Sequence, residues 1–334
     1  MTLTQLNAFV LVARLGSVRA AATALGVSES AVSQALTALR QDLGDQLITR
    51  GQAGMTLTPG GARLLGTATQ IVVLGAEAHA AVRAAQGAPE QLRIVATPTF
   101  AEFVAAPLME AFTRRYAATI EVTTGVAPSG DHAVLIANRL ADVAFGPGIA
   151  VDSPPASGGG RPQGAAAAIV SEPVFKYRLA VVTAGAPGGS ARVTRLPGNP
   201  REWRWLVGPS GADAGSSTAR LLTRLGIPEG NVRVLPSQTA AWAAAADGGG
   251  VAPAIEHLVT HQVRRGELAL VEMAGVPSEE IWHATLLDRD HRTGATSALR
   301  RFLATPEALQ LIRSPVAGVP PSRFKPPVYV TIWS

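Results

Sequence analysis

Apolar side chains recur at helical spacing three times within the first 45 residues of the chain. The first stripe comprises Leu3, Leu6, Val10 and Ala13. Glycines at positions 16, 26 and 44 are placed to end three successive helices in left-handed caps, and Ser17 and Ser28 are placed to begin the second and the third. The pattern therefore predicts three short helices in close succession.

The second and third predicted helices have the arrangement of a helix-turn-helix. A short turn around Gly26 separates them, and the small residues 20–22 allow the two helices to approach closely. Small polar side chains leave the outer face of the third helix slim enough to enter a major groove about 12 Å wide. Two short alternating segments follow at residues 47–50 and 55–58, around the glycine-containing turn 51–54, and predict a wing.

Many positions of this segment also share one register with a known family. They are Gln5, Leu6, Phe9, Val12, Ala13, Gly16, Ser17, Ala21, Ala22, Leu25, Val27, Ser28, Ser30, Ala31, Val32, Ser33, Gln34, Leu36, Leu39, Leu43, Gly44, Leu47, Arg50, Leu57, Thr58 and Gly61. In this register the segment resembles the N-terminal domain of LysR-type transcriptional regulators. The resemblance implies that the third helix reads the bases of double-stranded DNA and that Arg50 approaches the phosphate backbone. The DNA-binding residues that we expect are Ser28, Glu29, Ser30, Ser33, Gln34, Thr37 and Arg50.

Three positions depart from the usual pattern of that family. Glu29 stands where Gln is most common, Arg40 where an acidic residue is usual, and Ile48 where Phe is common. A carboxylate at position 29 accepts from a cytosine amino group but cannot donate to adenine N7, which would give an unusual half-site. The alternative is that Glu29 only stabilises the positive end of its helix dipole.

A long helix is predicted after the wing. Thr58 can cap it, Pro59 suits its first position, and no break occurs until Gly87, so the helix would have about 28 residues and a length of about 42 Å. Small and apolar residues follow a heptad seam at Leu64, Ala68, Ile71, Gly75, Ala78, Val82 and Ala85. The seam favours a homodimer, which the resemblance extends to a homotetramer, and packing against the chain's own domains is the alternative.

Strands alternate with helices in the rest of the chain, which predicts an α/β fold with a mostly parallel sheet covered on both faces. Predicted strands include residues 92–96, 119–124 and 142–146, and a second unit begins near residue 174 with strands at 204–207 and 232–235. The order of these elements is similar to the two-lobed effector domain of LysR-type regulators, a type 2 periplasmic-binding-protein-like fold. We expect a winged helix-turn-helix domain at 1–58 (helix-turn-helix about 18–37), a linker helix at 59–88, an effector domain at 89–313 and a Pro-rich tail at 314–334.

Ligands of such sheets bind beyond the carboxyl ends of the strands, where helix N-termini favour anions. The residues at these turns, which match the family's effector contacts, are Thr97, Thr99, Phe100, Phe145, Ser210 and Gln238. We expect them to contact a small metabolite, with a carboxylate as a candidate class. Helix capping is the alternative role for the hydroxyls of Thr99 and Ser237.

Composition changes this interpretation little. The 334 residues hold 29 Lys and Arg against 24 Asp and Glu, a net charge of +5, but residues 1–65 hold only five arginines against three acidic residues, a net charge of +2. The DNA prediction therefore depends on the register and not on the bulk charge. With no cysteine, a disulfide scaffold, a thiolate nucleophile, an iron–sulfur cluster and a Cys-ligated zinc site are all excluded. The chain has no signal peptide and no apolar run of about 20 residues, so we expect a cytoplasmic protein without a membrane partner.

An enzyme and a transport-type solute-binding protein are the alternative functions. His257 and His261 lie four residues apart, but no Glu follows His257 in the metalloprotease arrangement, and Ser210 lacks the Gly-x-Ser-x-Gly elbow of a hydrolase. A solute-binding protein would need an export signal where the helix-turn-helix lies. We therefore expect no catalytic residue, no metal and no cofactor, and the partners that we expect are double-stranded DNA, the effector, a second copy of the chain and, as the resemblance allows, RNA polymerase.

Overall fold

The computed structural model describes residues 1–51, 54–149, 168–185 and 193–314. Its N-terminal elements are α1 (Leu3–Leu15), α2 (Val18–Leu25), α3 (Glu29–Leu43), β1 (Ile48–Gly51), β2 (Gly54–Leu57) and α4 (Pro59–Ala85). Each of these four helices has an N-cap residue whose side-chain oxygen accepts a hydrogen bond from the backbone amide three residues later. The N-cap residues are Thr2, Ser17, Ser28 and Thr58. The glycines at 16, 26 and 44 end α1 to α3 with φ of 65–67°. The predicted helices and wing strands are confirmed.

Helix α1 lies at the centre of the winged helix, because α2, α3 and α4 all pack against it. Its fully buried side chains form the core of this unit together with residues of α3 and the wing, and they include Leu6, Phe9, Val10 and Leu11. Ile48, at the family's Phe position, is 6% exposed in the same core, so this departure is a change in packing.

The first half of α4 packs against the same core. Of the predicted seam positions, Ala68 is fully buried, Leu64 and Ile71 are partly buried, and a Cβ at Gly75 would lie 2.9 Å from Cδ1 of Leu3. These four positions therefore pack against the chain's own N-terminal domain, which was the alternative to a dimer seam. The last three seam positions, Ala78, Val82 and Ala85, are exposed.

The remaining elements form an α/β domain over the range where we expect the effector domain. The strands are β3 (Glu90–Ala96), β4 (Ile120–Val126), β5 (Val143–Pro147), β6 (Ile169–Ala184), β7 (Val193–Thr194), β8 (Trp205–Val207), β9 (Val232–Val234), β10 (Ala252–Ile255), β11 (Leu268–Val271) and β12 (Ser278–Leu287). The helices are α5 (Pro98–Phe100), which continues through a π-helical turn (Ala101–Ala105) into α6 (Ala106–Tyr116), α7 (His132–Ala137), α8 (Ser217–Leu225), α9 (Gln238–Ala246), α10 (Glu256–Arg264), α11 (Gly294–Leu303) and α12 (Pro306–Arg313). Within the described residues, no helix has the length and apolar character needed to cross a membrane.

The large sheet is mixed and not mostly parallel. Its order is β4-β3-β5-β12-β6-β11-β7, and β10 also pairs with β6. Strand β3 is parallel to β4 and β5, but β12 runs antiparallel to both β5 and β6. The prediction missed this because it did not place β6 and β12, two long strands that pass from one part of the domain to the other.

Strands β6 and β12 divide the effector domain into two lobes. The first lobe contains β3 to β5, α5 to α7, α11 and α12, and the second lobe contains β7 to β11 and α8 to α10. The N-terminal half of β6 pairs with β12 beside β5, and its C-terminal half pairs with β10 and β11. The register of β12 against β6 shifts between Trp282 and His283, so the sheet is irregular where the lobes meet.

The winged helix also contacts the first lobe of its own chain. Val134 and Leu140, which belong to α7 and the turn after it, pack against the core around α1, and Ala24 of α2 packs against a small cluster of the first lobe. The linker helix adds an ion pair between Arg83 and Glu121 of β4, at 3.3 Å. Three parts of the molecule are therefore connected directly. The sequence segment 152–164, residues 52–53 of the wing turn and residues 315–334 of the tail lie outside the described residues.

Candidate DNA-binding surface and effector cleft

Helix α3 presents a polar, solvent-exposed face. The exposed residues include all of those predicted on this helix, namely Ser28, Glu29, Ser30, Ser33, Gln34 and Thr37. The hydroxyl of Ser33 donates to the carbonyl oxygen of Glu29 and that of Thr37 to the carbonyl oxygen of Ser33, each at 2.9 Å. These bonds hold both hydroxyls close to the helix, so the face stays narrow, and the longer Gln34 projects from it.

The wing places a positive charge beside this face. Arg50 is exposed on β1, where it pairs in register with Met55 of β2. Arg40, at a position where the family usually has an acidic residue, connects α3 to the wing, because its guanidinium donates to the carbonyl oxygens of Gln46 and Ile48 at 2.8 and 3.0 Å. Its role is thus to position β1. Sequence reasoning could not find this role of Arg40, because both acceptors are backbone atoms.

The turns predicted to bind an effector meet where the two lobes approach each other. A cavity of about 30 Å³ lies there, which is room for about two water molecules. Four of the predicted residues line it: Thr97, Thr99, Ser210 and Gln238. The lining also includes residues that the sequence did not single out, among them Tyr177, Ser217, Trp242 and Trp282.

Phe100 and Phe145 lie behind this cavity and not in it. Both are fully buried, and their rings stack at a centroid distance of 4.6 Å and an interplanar angle of 4°. The edge of Trp282 meets Phe100 at 5.1 Å, so the pair supports the cavity wall from the core of the first lobe. Position in a turn after a strand could not distinguish a side chain that faces the core from one that faces the cleft.

Hydrogen bonds across the cleft hold the lobes together. The hydroxyls of Thr99 and Ser210 are 2.7 Å apart, so capping is not the role of Thr99. The carboxylate of Asp213 accepts from the amide and the hydroxyl of Ser129, both at 2.8 Å. A Cβ at Gly215 would lie 2.2 Å from Oγ of Ser129, so glycine allows this close approach.

A third contact across the cleft involves the N-terminus of α9. Ser237 caps the helix by accepting from the amide of Ala240 at 3.0 Å. The carboxylate of Glu102, from the first lobe, accepts from the amides of Gln238 and Thr239, both at 2.9 Å, and from the Thr239 hydroxyl. The helix terminus where we expected an anionic effector is therefore occupied by a carboxylate of the chain itself.

Two histidines of the effector domain have a lowered pKa: His132 is buried and His257 is half-buried. Burial lowers the pKa of His132 to about 4, although its Nε2 lies 3.3 Å from the carbonyl oxygen of Ala127. Its Nδ1 has no hydrogen-bond partner within the described residues. Burial also lowers the pKa of His257 to about 4, and the ring of His257 packs edge-on against Phe175 at 5.2 Å.

The metal alternative finds no support at His257, which belongs to the aromatic cluster around Trp282. Over the described ranges, no group of three or more His, Asp or Glu side chains is placed to hold a metal ion.

One acidic residue near the cleft has a raised pKa. Burial and the nearby Asp213 raise the pKa of Asp131.

Comparison with known families decides between the remaining functions. The family model described as Bacterial regulatory helix-turn-helix protein, lysR family, matches residues 3–62, and the LysR substrate binding domain matches residues 85–306. The chain belongs to the LysR family of transcriptional regulators. This LysR-family protein is therefore a DNA-binding transcriptional regulator and not an enzyme, and its effector domain has the α/β fold of that family.

Individual relatives agree with the family. The regulator is 36% identical over 334 residues to the Uncharacterized HTH-type transcriptional regulator Rv0377 of Mycobacterium tuberculosis, with 100% of both chains covered. A probable hydrogen peroxide-inducible genes activator of Mycobacterium avium is 41% identical over 125 residues, which are 36% of this chain and 40% of that protein. This regulator resembles in fold the crystal structure of a full-length AphB variant, with a TM-score of 0.56 and 16% identity. The match covers 91% of this chain and 98% of the AphB chain.

Proposed function

We propose that this LysR-family regulator binds an interrupted palindromic promoter site, with α3 of each protomer in a major groove and the wing beside it. The observation that carries the proposal is the narrow polar face of α3, from which Gln34 projects between back-bonded hydroxyls. Glutamine can form a bidentate pair with adenine, and Arg50 on the wing can meet a phosphate. Such a regulator acts in the cytoplasm, with RNA polymerase as a partner at the promoter.

Two recognition helices require a dimer, and α4 offers a surface for it. Among its exposed apolar residues, Leu74, Ala78, Ala81, Val82 and Ala85 lie along one stripe of the second half of the helix. The positions 74, 78, 81 and 85 repeat at spacings of 4, 3 and 4, as in a coiled-coil seam. Leu74 is 62% exposed and Val82 58%, which is unusual for large apolar side chains on one helix. We therefore assign the homodimer seam to this stripe, and a homotetramer would pair two such dimers.

The cleft between the lobes is the effector site in this proposal, with Thr97, Thr99, Ser210 and Gln238 as contacts. Hydroxyls and an amide from three turns line one cavity there. Because about 30 Å³ holds no metabolite, binding requires the lobes to separate, with β6 and β12 as the hinge. An effector with different affinities for the open and closed lobes would shift the regulator between two states.

In this proposal the regulator responds to the reversible binding of an effector and not to the oxidation of a thiol. One relative is named as a hydrogen peroxide-inducible activator, but that match covers about a third of this chain. The full sequence holds no cysteine, so neither a sulfenic acid nor a disulfide can form. A peroxide response by this route is therefore no part of the proposal.

Footprinting on the intergenic DNA upstream of the regulator's own gene tests the DNA-binding assignment. Ser33→Ala combined with Gln34→Ala should abolish the specific footprint while leaving the thermal unfolding midpoint unchanged, because both side chains are exposed. Gln310→Ala, an exposed change on α12, is the matched control and should keep the footprint. An unchanged footprint of the double variant would refute the proposed α3 contacts.

A further inference from the structure

The effector cleft is closed by two carboxylates that cross from one lobe to the other. Glu102 of the first lobe accepts from the first two backbone amides of α9 in the second lobe, and Asp213 of the second lobe accepts from the amide and hydroxyl of Ser129 in the first. Each carboxylate thus takes the backbone donors that an anionic ligand would need at these positions. At both positions, the anion that accepts from these backbone amides is therefore a side chain of the protein itself, Glu102 or Asp213.

Over the part of the chain that the structure describes, no positive charge lines the cavity between these two contacts. Its polar residues are hydroxyl- and amide-bearing side chains, with Thr97, Thr99, Ser210, Ser217 and Gln238 among them, and none of the described Lys, Arg or His side chains lines it. An anion entering this space would lose its water without gaining a counter-ion, and it would lie near two carboxylates. The remaining walls are apolar and aromatic, as in Trp242 and Trp282.

We propose that Glu102 determines the ligand class of the cleft: by occupying the N-terminus of α9 it excludes anionic effectors, and the cleft selects an uncharged molecule with hydroxyl or amide groups on one side and an apolar face on the other. This inference rests on the effector site proposed above. The hydroxyls of Thr99 and Ser210 bond to each other in the closed cleft and would exchange that bond for bonds to the ligand. The apolar face would lie on the tryptophan side of the cavity.

Bromide, as a simple anion, tests the exclusion directly. Crystals of the full-length regulator and of Glu102→Ala are soaked in bromide, and the anomalous signal is measured at the amides of Gln238 and Thr239. We expect a bromide peak there in Glu102→Ala and none in the unchanged protein. Glu110→Ala, an exposed acidic change on α6, is the matched control and should give no peak. No bromide at α9 in Glu102→Ala would overturn the proposal.

Pairs of ligands that differ only in charge test the selectivity. Thermal unfolding is followed with benzoate and benzamide, and with succinate and succinamide, for the unchanged protein and for Glu102→Gln. We expect the carboxylates to bind Glu102→Gln about 10-fold or more tightly than the unchanged protein, because one negative charge near the ligand is gone. A carboxylate that stabilises the unchanged protein, and loses this effect with Gln238→Ala, would overturn the proposal.

The two failures can be distinguished. If bromide binds only Glu102→Ala, but neither these pairs nor a panel of uncharged metabolites stabilises the unchanged protein, then the exclusion by Glu102 stands and the proposed effector site fails. If an uncharged metabolite stabilises the protein and bromide also binds beside Glu102 in the unchanged protein, the effector site stands and the role of Glu102 fails.

Discussion

Arg139 of the first lobe and Glu77 of the linker helix form an ion pair, with 3.1 Å between Nη2 and Oε1. The other amino group of Arg139 donates to the carbonyl oxygen of His291 at 2.7 Å, and the Arg139 side chain is only 13% exposed. Because Arg139 follows α7 in the first lobe, this ion pair links that lobe to α4, the helix that continues from the winged helix. The first lobe, which forms one side of the cleft, therefore contacts α4 directly.

Loss of the ion pair between Arg139 and Glu77 should lower the free energy of unfolding. We expect Arg139→Ala to lower the free energy of unfolding by about 1–2 kcal/mol, because it leaves a partly buried carbonyl oxygen and an exposed carboxylate without a charged donor. Urea denaturation of the full-length regulator measures this. Arg115→Ala, which changes an exposed arginine on α6, should stay within about 0.5 kcal/mol of the unchanged protein. Equal effects of the two variants would mean that the ion pair contributes nothing specific.

The hydrogen bond between Thr99 and Ser210 should contribute to closing the lobes. In a double-mutant cycle with Thr99→Val and Ser210→Ala, we expect a coupling free energy of about 0.5–1.5 kcal/mol, since the pair is partly buried and spans the cleft. The exposed pair Thr49 and Thr56 on the wing, at 3.1 Å, is the control and should give a smaller coupling. Additive effects at 99 and 210 would show that the lobes close without this bond.

Arg50 should contribute charge but no sequence preference. If it meets one phosphate, Arg50→Ala weakens binding to all DNA sequences similarly and lowers the slope of log K against log salt by about 0.9 per protomer. Titration of labelled promoter DNA at several salt concentrations measures the slope, and Arg115→Ala should leave it unchanged. An altered order of preference among DNA sites would indicate a base contact instead.

Stability should fall in mild acid because of the buried histidines. The unfolded chain takes up a proton on His132 near pH 6.5, whereas the folded chain takes it up only near pH 4. Stability is therefore full above about pH 6.5 and declines by about 1.4 kcal/mol per pH unit for each such histidine between these values. His132→Asn should flatten the decline measured by urea denaturation, and the exposed change His261→Asn should not. A profile of His132→Asn parallel to that of the unchanged protein would contradict this origin.

The N-terminal domain could be predicted closely, and the cleft only in part. Helix caps such as Ser28 and Thr58 are local signals, because the cap and its amide lie three residues apart, and the structure has both. The contacts that shape the cleft join distant residues. Glu102 meets Thr239 from 137 positions away, and nothing in either neighbourhood of the sequence indicates the other.

Core and surface were also difficult to separate within single turns. Thr99 and Phe100 are neighbours in the sequence. The hydroxyl of Thr99 nevertheless reaches across the cleft, whereas the ring of Phe100 lies in the core. In the same way, the heptad spacing in α4 identified a stripe but not its partner, because α1 covers the first half of it. A side chain such as Leu74 becomes a candidate only when its exposure is known.

Leu74 and Val82 should be the positions at which charge breaks the dimer. Leu74→Asp combined with Val82→Asp would place two carboxylates, facing two more on the partner, in an apolar seam. We expect the dimer to dissociate to monomers at micromolar concentration, with unchanged unfolding of the monomer because both side chains are exposed. Sedimentation or light scattering gives the mass. Ala62→Asp, an exposed change in the first turn of the same helix but off the stripe, is the matched control and should keep the original assembly. If the double variant keeps its mass while the seam carries four new charges, the protomers associate through another surface. In that case the two recognition helices would need a different route to a palindromic site.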